Sequence, residues 1–200
     1  YFLKGTPYIY QGQEIGMTNA YYTKLSDYQD IDSLGNYEDK VVNKKLVSET
    51  RMLRGLQRGS RDNGRTPMHW DDSVNAGFNK GAKTWLKVIP NYKEVNVKNA
   101  LADKDSVLYT YKDIFEFRKN SEYTETILEG SYDTYLEEDP YIFVYGRTYK
   151  DKSFVVVVNY DDEEHELNLD LDVKEIIMST HKDSKCSTRN VILRPYESIV

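Results

Sequence analysis

Arg61 and Arg65 bracket Asp62-Asn63-Gly64 within Ser60–Trp70, a stretch with too many turn formers for a helix and too little alternation for a strand. A guanidinium supplies forked donors suited to hydroxyls or to a carboxylate, and it stays charged in a buried pocket. Type and spacing therefore make these two arginines the candidate binding residues. The plainer alternative is that both pair only with loop acids such as Asp62. Carboxylates gather at Asp27, Asp30, Asp32, Glu38 and Asp39, and again at Asp71-Asp72. Acid–base hydrolysis needs two carboxyls held across a cleft with their pKa values pushed apart. Clustering in a polar loop supplies no cleft, so these acids are expected to be solvated. His69 is expected to pack and not to act as a base. His165 and His181 lack companion ligands, and no metal site is expected. Cys186 has no surrounding motif that suggests a nucleophile.

These residues need elements to position them. Gly5–Gly12 reads as a short strand with Pro7 near its start, and Gly12 and Gly16 then mark a loop. An irregular polar stretch follows. Between about Asn43 and Arg58, Val47, Met52, Leu53 and Leu56 share one face, which predicts an amphipathic helix stopped by Gly59. Val107, Leu108, Tyr111, Ile114, Phe115 and Arg118 form a helical stripe over 106–120, with Asp105 or Ser106 as cap and Arg118 and Lys119 near the C-terminus. From Tyr123 short β-rich runs recur at 131–136, 141–149, 153–159, 165–169, 174–179, 190–193 and 197–200. Turn-forming segments such as Glu138-Asp139-Pro140 separate several of them, and the pattern predicts a small antiparallel β-sandwich. The boundary is expected near 121–123, giving units 1–122 and 123–200. The second is a plausible self-contained domain. The first has one strand among long loops and helices and cannot close a core alone, which makes it the last unit of something larger.

Composition limits the partners. The net charge of -6 offers no basic face for phosphates and argues against nucleic acid. The longest apolar run, Phe154–Val158, is strand-length, so no membrane span is expected. A single cysteine cannot form an intramolecular disulfide and requires no oxidising compartment. The chain opens on Tyr1 and not on Met, which is expected of an excised segment. Eighteen tyrosines suit sugar contact and β-sheet edges alike, with the structural use weighted higher.

Gly5-Thr-Pro-Tyr-Ile-Tyr-Gln-Gly-Gln-Glu-Ile-Gly-Met-Thr-Asn19 resembles the eighth barrel strand and following loop of glycoside hydrolase family 13 α-glucosidases, which include oligo-1,6-glucosidases, dextran glucosidases and trehalose-6-phosphate hydrolases. Ser60–Asp72 with Asn75–Phe78 looks like the long loop that closes over their active site. Asp139–Phe143 and Leu193–Ser198 look like their C-terminal β domain. The resemblance implies the last strand, loop and helix of a (β/α)8 barrel followed by a small antiparallel β-sandwich. It implies a retaining mechanism in which an Asp attacks the anomeric carbon, a Glu acts as acid then base, and a second Asp holds the sugar. Those three carboxylates follow barrel strands absent from this chain, so no catalytic residue is assigned here and the chain is expected to be inactive alone. It implies that one of Arg61 and Arg65 reaches bound glucose while the other braces the loop, with a lean to Arg61. The substrate class is short α-linked oligosaccharides, no cofactor is expected, and the location implied is cytoplasmic. Two departures are Gln13, where the family usually has Glu, and His69, where Gln is commoner. Two other readings remain open: a non-catalytic structural protein of the same fold, and a β domain that binds carbohydrate.

Overall fold

A computed structural model describes residues 1–169, 173–187 and 189–200. The chain divides into two compact units, residues 8–113 and residues 1–7 with 114–200.

The unit of residues 8–113 is mostly loop and short helix. Residues 5–12, expected as a strand, form no β-ladder among the described residues. Extended backbone becomes a strand only when a neighbour accepts its amides, and no strand among the described residues pairs with it; Tyr8 and Tyr10 are 87% and 59% exposed. The stretch expected to be irregular instead holds helix α1, Ile31–Tyr37, which runs into a π-helical turn at Glu38–Asn43. Helix α2, Glu49–Gly59, starts later than its apolar pattern suggests, because Ser48 caps it by accepting from Arg51 N. Leu56 of α2 is buried with Ala20, Tyr22, Tyr28 and Ile89. Helix α3, Val97–Ala102, is capped by Asn96, and Ala100 packs with Ile15 and Met68. Helix α4, Val107–Asn120, matches its predicted span, although none of its residues is fully buried.

In the other unit, helix α5, Thr124–Glu129, precedes the strands. Strands β1 Asp133–Tyr135, β2 Ile142–Tyr149, β3 Lys152–Asn159 and β6 Ser198–Ile199 form one antiparallel sheet in that order. Strands β4 His165–Asn168 and β5 Asn190–Leu193 form a second antiparallel pair. The run 174–179 is not a strand; it reaches the sheet through a bridge between Ser179 and Ile199, and Ile177 N bonds to Val200 O at 2.7 Å. Period-two alternation sends Ile142, Val144 and Val157 toward Leu167, Val191 and Leu193, which closes a core between the two sheets. The opposite face sends Tyr145, Phe154 and Val156 against Ile127 and Phe2.

Arg147 lies on that opposite face and is fully buried. Its guanidinium donates to the carbonyls of Phe2, Ile127, Gly130 and Ser131. A buried cation is tolerated only when its donors are matched, and four carbonyls converge on this one. The bonds bind Tyr1–Pro7 into the unit of 114–200, more than a hundred residues away in sequence.

Candidate functional site

The predicted loop is built on a serine. Ser60 ends α2, and its Oγ accepts from Asp62 N at 3.3 Å, starting the 3-10 turn Arg61–Gly64. The same Oγ meets Ser33 Oγ at 2.9 Å, which joins the turn to the first turn of α1. Asp30 caps α1, its Oδ2 accepting from Ser33 N at 3.1 Å and from Ser33 Oγ at 2.8 Å. Its other oxygen takes both predicted arginines, Arg61 Nε at 3.1 Å and Arg65 Nη1 at 3.2 Å. Arg61 also bonds to Asp32 through Nη2. Asp62, with no exposed surface, accepts from Gln29 N at 2.7 Å and Asp30 N at 2.9 Å on Oδ2. Its Oδ1 lies 3.8 Å from Arg65 Nη1 and makes no hydrogen bond among the described residues.

The structure therefore brings Arg61 and Arg65 together on one carboxylate and corrects the reading of the acids around them. Asp30 is not solvated but 4% exposed. Burial alone would raise its pKa; the Ser33 bonds and the two guanidinium charges outweigh that and hold it below the usual carboxylate value. Asp30 is thus an anchor kept ionised, not an acid. Asp27 pairs with Lys87 at 2.5 Å. Asp32 remains exposed. The Asp71-Asp72 pair serves the loop itself: Asp71 accepts from Ser73 N at 2.8 Å, and Asp72 pairs with Lys98 at 2.8 Å. Asp71 also fixes a glycine. Gly77 has φ +68°, and a Cβ there would fall 2.7 Å from Asp71 Oδ1.

The arginines differ in setting. Arg65 is 38% exposed and is held by two carboxylates that are both buried. Arg61 is 56% exposed, and one of its partners, Asp32, is 69% exposed. Beside the turn, Tyr10, Asn19, Asn63, Gly64, Met17 and Met68 line a cleft of about 240 Å³ of mixed polarity. His69 is fully buried, with Nδ1 2.8 Å from Val95 O and its ring edge-on to Tyr92. Burial lowers its pKa and keeps the imidazole neutral. Glu14, beside Gln13, has one oxygen buried without a hydrogen bond among the described residues. No cluster of three His, Cys, Asp or Glu residues among those described suits a metal ion, and no helix is long and apolar enough to cross a membrane.

Sequence reasoning missed Asp30, Ser33, Ser60 and Asn63. Asp30 was findable as a cap, since an aspartate directly before an apolar residue, here Ile31, is a helix-start signal. Asn63 acts only across the chain. Its Nδ2 donates to Gln57 O at 3.2 Å and Leu56 O at 3.4 Å, while its Oδ1 accepts from Ala20 N at 3.1 Å. Asn19 adds bonds to Gln57 O and Arg58 O, so two asparagines satisfy the last carbonyls of α2.

Comparison with known proteins supplies the class to which this loop and the unit of two antiparallel sheets belong. Residues 1–127 match the alpha amylase catalytic domain family, and residues 142–200 match the alpha-amylase SusG C-terminal domain family. The chain belongs to the α-amylase family, glycoside hydrolase family 13. It is 42% identical to an oligo-1,6-glucosidase of Bacillus cereus, over all of this chain and 36% of that protein. It is 37% identical to a trehalose-6-phosphate hydrolase of Bacillus subtilis, over 100% of this chain and 36% of that protein. Among solved structures, a trehalose-6-phosphate hydrolase of Bacillus licheniformis aligns at TM-score 0.89 and 37% identity, covering 99% of this chain and 36% of its own. The isomaltulose synthase of a Klebsiella species aligns at 0.89 and 32% identity, over 97% and 34%. The chain thus spans about a third of the length of the curated relatives it matches.

Proposed function

We propose that this chain is the C-terminal part of a retaining α-glucosidase that hydrolyses short α-linked oligosaccharides in the cytoplasm. In this reading residues 1–122 end a catalytic (β/α)8 barrel and residues 123–200 form its C-terminal β domain. One observation carries it: the arginine loop lies inside the stretch matching the catalytic-domain family, and a match to a C-terminal domain follows directly. The relatives' names support the substrate class, since they act on α-1,6-linked glucosides and trehalose 6-phosphate.

The loop's part is binding. Arg61, the more exposed arginine, donates to a glucose hydroxyl or to the carboxylate beside it. Arg65 braces the loop through Asp30 and Asp62. The nucleophilic Asp, the Glu acid–base and the second Asp come from the part of the enzyme that this chain does not span. The two-step displacement runs there, through a covalent glucosyl-enzyme that water opens. Arg61 retains its charge throughout.

Substitution in the full-length enzyme tests the division. Arg61→Ala is expected to lower kcat/KM for an α-glucoside by roughly 100-fold or more, as for loss of a charged hydrogen bond, with only a small fall in the unfolding midpoint because Arg65 still pairs with Asp30. Arg65→Ala is expected to lower the midpoint as well. An Arg61→Ala enzyme with unchanged kcat/KM would remove Arg61 from the site.

A further inference from the structure

We propose that Asn63 is a deamidation site, and that its conversion to aspartate or isoaspartate unlatches the arginine turn. Asn63 precedes Gly64 in the only Asn-Gly pair of the sequence. With no side chain on the following residue, the backbone nitrogen of Gly64 meets no steric barrier in approaching the Asn63 carboxamide. In the reaction Gly64 N bonds to Asn63 Cγ, the Cγ–Nδ2 bond breaks, and ammonia leaves with a proton taken from the attacking nitrogen. Water then opens the succinimide at either carbonyl. The net change is one water consumed, one ammonia released and one carboxylate gained.

The fold holds this reaction back. Asn63 lies within the 3-10 turn Arg61–Gly64, and its carboxamide is committed to Leu56 O, Gln57 O and Ala20 N. Ring closure requires those bonds to break and the turn to open, so the rate follows local unfolding. The product cannot re-form the latch. A carboxylate has no hydrogen to donate to Leu56 O and Gln57 O, and it sets a negative charge against the negative end of the α2 dipole. Isoaspartate also lengthens the backbone by one carbon inside a turn only four residues long. The glycine is replaceable: a Cβ on Gly64 would lie 3.4 Å from Tyr10 Cε1, an ordinary contact, and its φ is not left-handed. Gly64→Ala therefore blocks the chemistry while sparing the fold.

The inference concerns the latch alone and holds whether or not Arg61 meets a sugar. The experiment incubates the full-length enzyme at mildly alkaline pH, folded and in urea, and follows residue 63 by peptide mass mapping and isoaspartate content. Conversion is expected in urea, about tenfold slower in the folded chain (about 1.4 kcal/mol of opening), and suppressed by Gly64→Ala in both. Asn63→Asp is expected to cut faster than the parent chain when a protease probes 59–66. Absence of conversion at 63 in urea, or equal rates folded and unfolded, would overturn the proposal. So would an Asn63→Asp chain as protease-resistant as the parent. The rate ratio is read on the unsubstituted chain and stands even if Asn63→Asp does not fold.

Discussion

The two units place charged groups by opposite means. In 114–200 the positions follow from alternation: β2 and β3 send Val144 and Val157 to one core and Tyr145 and Val156 to the other, and Arg147 falls on a face that period two already fixes. In 8–113 almost nothing repeats. Arg61, Arg65, Asp30, Asp62, Ser33 and Ser60 meet because each satisfies a donor or acceptor another leaves open, across about thirty residues of chain. In the first kind of order, loss of an apolar side chain leaves a cavity but no unmatched polar group. The second leaves a buried charge or amide unmatched whenever one member goes.

That contrast makes predictions that can break it. The largest effect is expected from Arg147→Met, which strips donors from four carbonyls: a loss of about 3–5 kcal/mol in urea unfolding, with residues 1–7 becoming protease-sensitive. Asp62→Ala should follow at about 3 kcal/mol, because the amides of Gln29 and Asp30 lose their acceptor, and the opened segment should be 27–37. If Asp62→Ala left unfolding unchanged, the network account of 8–113 would fail. Leu193→Ala, in the core between the sheets, should cost about 2–4 kcal/mol and leave 8–113 as protease-resistant as before.

Acid should act on both units. Glu197, 1% exposed and bonded to Arg194 and Ser184, has its pKa held down to about 2 from 4.5, with the Arg194 bonds as the main cause. A depressed carboxyl stabilises the fold fully above its unfolded pKa. That contribution should therefore be complete above pH 4.5 and fade between 4.5 and about 2, and Glu197→Gln should flatten the dependence in a pH series of unfolding midpoints. Asp30 runs in the same direction below 3.8. The smallest effect is expected from Lys98→Ala: its pair with Asp72 is exposed on both sides, and the midpoint should not move.

How far these positions could be read in advance follows the same division. Helix α4 was legible because Val107, Tyr111, Ile114 and Arg118 repeat along one chain segment, and β2 to β5 because short strand-length runs lie between turn-forming segments. Residues 5–12 have the composition of a strand without a ladder, since pairing is decided by chain that is not adjacent in sequence. Asp30 looked like one acid in a polar run; its burial depends on Arg61 and Arg65 arriving from thirty residues downstream. That Arg61 and Arg65 would pair with loop acids was open from their type and spacing. That they share Asp30 was not, because it depends on which carboxylates are buried.

The most direct test of the central claim is an assay of the purified 200-residue chain with p-nitrophenyl α-glucoside. No turnover above buffer is expected on the proposed reading, in which the loop binds and the reacting carboxylates lie outside these residues. Turnover that rises in proportion to the concentration of the chain would contradict the account and place the chemistry within these residues.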